Sequence, residues 1–462
     1  MEENSALVED FINKIDNNLS QYFDSMEMEI IIEELMRTFN FQYLDAAIEH
    51  AINLFPNESQ FRIYRVKKYI LEFQMELAEK ELDEIERAFP PSADLYIEKV
   101  FLSNMTNKKT NQTIKWLNKA LVLEPNDPDI HFIMGHEYVR KNDILTAFKY
   151  ASLALQTDPM IGDNLFTYTY LFEELNKPAE AIEFFTLLTE EFPFIGATWF
   201  GLGFTMSWNN RFEEAIDAYS LALTCDGEIS AAHFNMANAY FELKDYDKAL
   251  FHYFEAYYLD TEDFQTLTNI GDTYAVQKWF EESLEYYYKA LQINPVYNEA
   301  IVGIVNSLNE LGKLDEARAF VINAFEKEPQ NIELLFSVAS FFESEEDANF
   351  IIELAKLTLN HLESGDHFFF FITQFCIFNK LYEMGFKMIE EFMYSKYVSE
   401  EMRCKMFYYL AALYYLNDNI PEGNNYLSDA LLIDYDWYKN FLEFSPLLKT
   451  YPEIQTLIDL YK

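Results

Sequence analysis

Histidine, cysteine and carboxylate side chains are the groups of this sequence that could bind a metal ion or carry out a reaction. The seven histidines are scattered, and the closest two, His131 and His136, are five residues apart. Two metal ligands on one face of a helix need a spacing of three or four residues. His233 lies 34 residues after Trp199 and 34 before Leu267, in segments of similar sequence, which indicates that it has a packing role like theirs. The histidines therefore predict no metal site.

The other reactive groups show no catalytic arrangement. Cys225, Cys376 and Cys404 lie far apart in the sequence, without a neighbouring base that would activate a thiol. Pairs of carboxylates such as Glu213 and Glu214 are frequent because acidic residues abound along the whole chain. The chain has 12 glycines and no glycine-rich phosphate loop. The sequence predicts a protein that is not an enzyme and uses no cofactor.

The formal charge is −44, from 78 acidic and 34 basic side chains among 462 residues. Such a surface repels nucleic acid and anionic membranes, and it is either simply well solvated or attracts basic partners. The longest apolar run, residues 367–378, is shorter than the roughly 20 residues of a membrane-spanning helix. The acidic amino terminus is unlike a signal peptide, and cysteines without a pairing motif favour a reducing compartment. We expect a cytoplasmic protein that binds neither nucleic acid nor membrane.

Proline recurs with a regular spacing along the chain. Successive gaps are 34 or 35 residues, or a multiple, at Pro56, Pro90, Pro125, Pro159, Pro193, Pro295 and Pro329. A period of this length is typical of repeat proteins, in which each unit buries its apolar face only by stacking on its neighbours.

Between the prolines, the same order of small and large residues returns, and it predicts two amphipathic helices per repeat. From Gly196 onward the first helix places Trp199 and Gly203, and the second places Ala215 and Tyr219. The glycine has no side chain at the point where the second helix must approach, and we expect the small alanine of the second helix to pack against it. Asn, Asp, Gly or Lys in the connection predicts a tight turn.

This pattern resembles the tetratricopeptide repeat family, whose repeat reads W-x2-L-G-x2-Y, then A-x3-F, A and P over 34 residues. The resemblance implies an all-α, right-handed superhelical solenoid of about twelve helix-turn-helix repeats. The copies begin near Ser25, Ser59, Asp94, Pro128, Gly162, Gly196, Ser230, Phe264, Asn298, Ile332, Asp366 and Cys404.

The quality of the repeats divides the chain into six predicted segments. They are an N-terminal capping helix at 1–24, divergent repeats at 25–127, well-matched repeats at 128–331, degenerate helical pairs at 332–403, one further repeat at 404–437 and C-terminal capping helices at 438–462. A terminal repeat needs such a cap because its stacking face would otherwise be exposed.

The resemblance also implies a binding surface, because the first helix of each repeat lines the concave side of such solenoids. Carried over by register, the candidate partner-binding residues are the ladder Phe132, Phe166, Phe200 and Phe234, with Tyr170, Phe204 and Asn238 one turn further on. Two interpretations stay open: the rings pack between adjacent repeats, or they form a partly exposed strip that accepts a peptide or helix. Acidic residues expected nearby suit a protein or peptide partner with apolar and basic side chains; they are Asp129, Asp163, Glu173, Glu174 and Glu242.

A carboxylate clamp, one known use of this family, is disfavoured. Asn238 and Asn269 occupy two plausible clamp positions, but Phe234 replaces the lysine, and Glu299 and Gly303 replace later basic residues. Our first hypothesis is therefore a non-enzymatic scaffold that holds a partner segment in the concave groove. The alternative is an acidic regulatory accessory that sequesters a basic, nucleic-acid-binding protein.

Overall fold

The computed structural model describes residues 2–17, 22–106, 110–339, 341, 345–359, 361, 366–378, 380–394 and 398–462. Within these residues all regular secondary structure is helical. The predicted all-α repeat fold is confirmed for this part of the chain.

In the described part of the chain, two kinds of helix, which we call A and B, alternate in twelve pairs, numbered here as repeats 1 to 12. The A helices are Ser25–Arg37, Ser59–Leu71, Ala93–Met105, Pro128–Arg140, Phe166–Glu174, Gly196–Trp208, Ser230–Glu242, Phe264–Val276, Asn298–Glu310, Ile332–Ala339, Asp366–Phe378 and Glu400–Leu416. The B helices are Phe41–Leu54, Met75–Ala88, Thr110–Leu123, Ile144–Thr157, Pro178–Glu191, Phe212–Cys225, Tyr246–Leu259, Phe280–Ile293, Leu314–Lys327, Glu345–Leu359, Tyr382–Phe392 and Ile420–Ile433. A 3-10 segment, Pro159–Asn164, precedes the A helix of repeat 5.

Further helical segments flank the repeats. The helix Glu2–Asp16 comes first, and its Phe11 is buried in one cluster with Met28 and Leu44 of repeat 1. After repeat 12 come Tyr435–Trp437, Tyr438–Phe441, Pro446–Thr450 and Pro452–Leu460. The buried side chains of these last segments join the apolar cluster of repeat 12.

The chain forms two compact units, residues 1–243 and 244–462, and each has its own core. In the first unit, one apolar cluster runs from repeat 4 to the A helix of repeat 7 and includes Ala147, Phe185 and Tyr219. In the second, a cluster that includes Leu267 and Leu427 extends to the C-terminal segments. In both units the core lies between helices, as stacking of repeats requires.

The glycines of the A helices make room for aromatic rings of the B helices. A Cβ added at Gly203 would lie 2.6 Å from Cδ1 of Tyr219, and one at Gly271 would lie 2.6 Å from Cε1 of Tyr287. The predicted close approach at Gly203 is confirmed. The expected partner differs, because the atoms that would collide belong to the tyrosine and not to Ala215, four residues earlier.

A residue with left-handed backbone conformation lies in the turn from A to B helix of most repeats. These residues are Phe39, Phe73, Asn142, Asn176, Asn210, Lys244, Lys278, Gly312, Lys380 and Asp418. In repeat 6 the turn is closed by two hydrogen bonds, from Asn210 N to Ser207 O and from Arg211 N to Met206 O. This is the helix-ending pattern that a left-handed residue permits, and it fixes where each B helix starts.

A second recurring contact ties each of two A helices to the preceding proline. The indole Nε1–H of Trp199 donates to the carbonyl of Pro193, at 2.9 Å. Two repeats earlier, Nε2 of His131 lies 3.0 Å from the carbonyl of Pro125 and makes the same contact. His131 therefore acts here as a structural substitute for tryptophan.

Candidate partner-binding surface

The A helices of repeats 5, 6 and 7 enclose a pocket of about 390 Å³, which we call the aromatic pocket. Four predicted binding residues line it: Phe166, Tyr170, Phe200 and Phe204. The other lining residues are Asp163, Thr169, Ile195, Gly196, Ala197, Asp226, Ile229, Ala231 and Asn235. The pocket lies wholly within the first unit.

The rings of the aromatic pocket form a partly exposed series. Phe166 is 45% exposed and Tyr170 is 59% exposed, with ring centroids 5.9 Å apart in an edge-to-face arrangement. The ring of Tyr170 lies 6.4 Å from that of Phe204, and the half-buried ring of Phe200 packs against Tyr219 at 5.9 Å. Rings at this spacing attract one another, and their open faces can take up an apolar side chain.

The positions of these rings follow from helix geometry. Phe166 and Tyr170 are four residues apart, as are Phe200 and Phe204, so each pair lies on one flank of its A helix. Asp163 lies at the edge of the pocket because the 3-10 segment Pro159–Asn164 leads into the first of these helices. The pocket is thus built mainly from rigid elements.

The charged residues that line the aromatic pocket are both acidic. Asp163 comes from the 3-10 segment of repeat 5, and Asp226 from the loop before the A helix of repeat 7. Both are exposed. An apolar partner side chain would therefore be flanked by negative charge, which favours lysine or arginine beside it.

The ladder is not uniform, because Phe132 is buried. It is 6% exposed, and the ring of Tyr168, from the next repeat, lies 4.9 Å from it. The Tyr168 hydroxyl donates to the carbonyl of Phe132 at 2.9 Å. The hydroxyl fits there because Gly135 has no side chain: a Cβ at Gly135 would lie 1.9 Å from the hydroxyl oxygen of Tyr168. Of the two interpretations left open by the sequence, the burial of Phe132 favours packing between adjacent repeats.

His136, one turn beyond Phe132, is held as a neutral base. Burial lowers its pKa to about 3. The hydroxyl of Thr167 donates to the carbonyl of Asn164 and lies 3.0 Å from His136 Nε2, so the histidine nitrogen is the donor in that contact. His131 and His136 therefore have separate structural partners.

A second pocket, which we call the acidic groove, lies on the A helices of repeats 2 to 5 and has about 650 Å³. Its charged residues are Lys67, Asp94, Glu98, Asp129, Arg140 and Glu174. The apolar part consists of Ile97, Phe101, Met105, Phe132 and Ile133, and the remaining polar residues are Asn104, His136, Asn164 and Thr167. Asp129 and Glu174 were expected near the ladder and lie here.

Burial governs the charges of the acidic groove. Glu98 is 6% exposed, and burial, with the charge of Asp94 adding to it and Lys67 opposing it, raises its pKa to about 7. Burial followed by repulsion from other carboxylates also raises the pKa of Asp129. A cation that approaches these carboxylates stabilises their charged form.

Arg140 lies at the other end of the acidic groove. Its Nε is 3.8 Å from Glu137 Oε1, and its Nη1 is 3.9 Å from Glu174 Oε1. Nε is buried and has no hydrogen-bond acceptor. Glu137 is fully buried and accepts hydrogen bonds from Asn104 Nδ2, at 2.8 Å, and from Thr113 Oγ1.

Phe234 and Asn238 are half-buried and do not line the aromatic pocket. Repeat 7 instead contributes Ala231 and Asn235. The reason is that each A helix has two flanks, and the last helix of a pocket presents the flank that faces the preceding repeat. The repeat register alone does not distinguish the two flanks, although the four-residue spacing of 231 and 235 places both on the flank that faces repeat 6.

The second unit has a pocket of its own on the A helices of repeats 10 and 11. It has about 760 Å³ and is lined by Ile332, Glu333, Phe336, Ser337, Gln374, Phe375 and Phe378. Among the described residues there is no group of three or more His, Cys, Asp or Glu that could hold a metal ion. Within the same residues, no helix has both the length and the apolar character needed to cross a membrane.

The tetratricopeptide repeat family model matches residues 230–263 and 264–297. Among solved structures, the chain is similar to MamA, with 22% identity over 37% of this chain and 97% of that one and a TM-score of 0.33. It is similar to YrrB, with 21% identity over 39% and 93% and a TM-score of 0.32. It is also similar to Naa15/Naa10 bound to HypK-THB, with 16% identity over 87% and 62% and a TM-score of 0.38. No curated protein matches the chain.

Fold and surface together define a protein built from repeated helix pairs whose A helices carry apolar pockets. The family model matches two consecutive repeats, 7 and 8, and the same helix pair recurs before and after them. Residues 230–297 therefore form two tetratricopeptide repeats, within a longer series of similar helix pairs.

Proposed function

We propose that this protein is a non-enzymatic scaffold that holds a segment of a partner protein in the aromatic pocket. The observation that carries the proposal is the exposure of Phe166 and Tyr170 on rigid helices beside Phe204. Exposed aromatic side chains grouped around a concave pocket are typical of protein-binding sites. Acidic residues at the edge, Asp163 and Asp226, support a partner with basic as well as apolar side chains.

The test is a double variant, Phe166→Ala with Tyr170→Ala, used as bait in a cross-linked pull-down followed by mass spectrometry. The matched control removes exposed apolar side chains from B helices, Leu145→Ala with Tyr258→Ala. We expect a defined set of proteins to be retained by wild type and control and lost from the double variant, since such anchors contribute on the order of 2 kcal/mol or more to binding. All three proteins should melt alike, because the truncated rings are exposed. Retention of every partner by the double variant would contradict the proposal.

The alternative, an acidic accessory that sequesters a basic protein, is supported by the net charge of −44. It makes a different prediction in the same experiment. Captured proteins would be basic nucleic-acid binders, their release would occur at moderate salt because screening weakens exposed charge pairs, and truncation of the two rings would leave them bound.

A further inference from the structure

The acidic groove has more negative charge than its own cations compensate. Lys67 Nζ lies 3.8 Å from Glu98, and Arg140 lies between Glu137 and Glu174. Among the described residues, Asp94 and Asp129 take part in no ion pair or hydrogen bond through their side chains. The groove therefore presents unpaired carboxylates beside the apolar surface of its floor, which suits a side chain with an aliphatic stem and a cationic end.

Arg140 does not compensate the charge of Asp94 and Asp129, because its guanidinium lies beside two other carboxylates. Its Nε is 3.8 Å from Glu137 Oε1, and its Nη1 is 3.9 Å from Glu174 Oε1. The remaining negative charge of the groove therefore favours a cationic side chain of the partner.

The acidic groove and the aromatic pocket adjoin at repeat 5. Asn164 and Thr167 line the groove, while Asp163 and Phe166 line the pocket, so neighbouring residues of one short stretch serve both. Both sites lie within the first unit. A segment lying across this helix reaches both.

We infer that the partner segment is bipartite, with apolar side chains in the aromatic pocket and a lysine or arginine held by Asp94 and Asp129 in the acidic groove. The inference rests on the proposed function, since it extends the same surface, and it names the chemistry of the occupant.

The probe is a random peptide library displayed on phage and selected on the immobilised full chain. We expect the enriched peptides to combine apolar residues with lysine or arginine on one side of them. One selected peptide, labelled with fluorescein, then gives dissociation constants by fluorescence anisotropy for the wild type and for variants whose circular dichroism and melting are unchanged.

The deciding variant is Asp94→Asn with Asp129→Asn, which keeps the shape of the groove and removes its unpaired charge. We expect it to bind the labelled peptide on the order of tenfold more weakly, as loss of close charge pairs does. The matched control, Glu213→Gln with Asp217→Asn, removes two exposed carboxylates from the B helix of repeat 6 and should leave binding unchanged.

The outcomes separate this inference from the proposed function. The bipartite partner would be overturned if the selected peptides showed no enrichment of lysine or arginine. It would also be overturned if Asp94→Asn with Asp129→Asn bound the peptide as tightly as wild type. In either case Phe166→Ala with Tyr170→Ala would still abolish binding, and the proposed function would stand. Peptides that bind equally well to the Phe166 and Tyr170 variant would overturn the proposed function itself.

Discussion

At the scale of single residues, function and stability depend on which side chains leave room for others. Gly135 admits Tyr168, which covers Phe132. At the position equivalent to Tyr168 in the next repeat stands the smaller Leu202, and Phe166 stays 45% exposed. One buried and one open ring at equivalent positions thus follow from the size of a residue in the neighbouring repeat.

The contact at Gly203 gives a direct stability prediction. Gly203→Val places a branched side chain where even Cβ would lie 2.6 Å from the buried ring of Tyr219. Overpacking of this kind costs roughly 1–3 kcal/mol, so we expect a lower free energy of unfolding in urea. Gly227→Val is the control, since a Cβ there meets nothing closer than the carbonyl of Leu223 at 3.9 Å. Equal stability of the two variants would show that the helices do not meet at Gly203.

Glu98 gives a prediction that depends on pH. Burial raises its pKa from an ordinary value of 4.5 to about 7. Between these values the folded state binds a proton that the unfolded state has lost, so this carboxyl makes the protein less stable as the pH rises, and the penalty is complete above pH 7. Glu98→Gln removes the ionisation. We therefore expect its stability relative to wild type to increase from pH 5.5 to pH 8, measured by urea unfolding at each pH.

Two results would bear against that interpretation of Glu98. One is a stability difference between Glu98→Gln and wild type that is the same at every pH. The other is an equal pH dependence in Glu310→Gln, a control that changes an exposed glutamate of the A helix of repeat 9.

At the scale of elements, the turn from A to B helix is the feature that recurs with the least variation in backbone. Its left-handed residue is Asn, Lys, Asp or Gly in most repeats, but it is Phe39 and Phe73 in the first two. Asparagine adopts this conformation far more readily than phenylalanine, because its short polar side chain bonds to nearby backbone. The first two repeats therefore carry backbone strain that the repeats with Asn, Asp or Gly at this position avoid.

The turn prediction uses two substitutions of opposite sign. Phe73→Asn should raise the free energy of unfolding by up to about 1 kcal/mol, because Phe73 is 76% exposed and loses little packing. Gly312→Ala should lower the free energy of unfolding by about 1 kcal/mol. At Gly312 φ is +72° and nothing lies within 4 Å of an added Cβ, so the backbone alone accounts for the loss. Thermal melting monitored by circular dichroism measures both, and changes of the same sign in the two variants would rule out this account of the turn.

At the scale of the whole molecule, charge is the dominant property. A net charge of −44 on 462 residues repels itself more strongly in the folded state, where the charges are closer together, than in the unfolded state. The aspartates and glutamates are distributed among all repeats, so no single pair relieves this repulsion.

Salt should therefore stabilise the protein. Raising NaCl from about 0.01 to 0.1 M shortens the screening length from about 30 to about 10 Å, and we expect the melting temperature to rise by a few degrees, the size of shift that about 1 kcal/mol produces in a large domain. Near pH 5, closer to the isoelectric point of about 4.4, the same addition should have a smaller effect. A melting temperature that falls with salt at pH 8 would mean that attractive ion pairs dominate instead.

The sequence by itself determined the all-α class, the 34-residue period and the close approach of two helices at Gly203, although the residue that fills the space is Tyr219. These are local properties. The helical period and the recurrence of Gly, Ala, Tyr and Pro are present in the sequence of each repeat and do not depend on which side chains of other repeats pack against it. The turn between helices was also predictable in outline, although Phe39 and Phe73 carry no turn signal that would mark them as left-handed.

Only the tertiary structure decided which members of the predicted binding surface are open. Phe166 and Tyr170 face a pocket, Phe132 is covered, and Phe234 and Asn238 lie outside that pocket. The register gives Phe132, Phe166 and Phe234 equivalent places on their helices, and it gives Tyr170 and Asn238 equivalent places one turn further on. Their exposure depends on side chains about 34 residues away in the neighbouring repeat, and on which flank of the helix faces that repeat. A sequence pattern in which all repeats are identical gives no information on either of these.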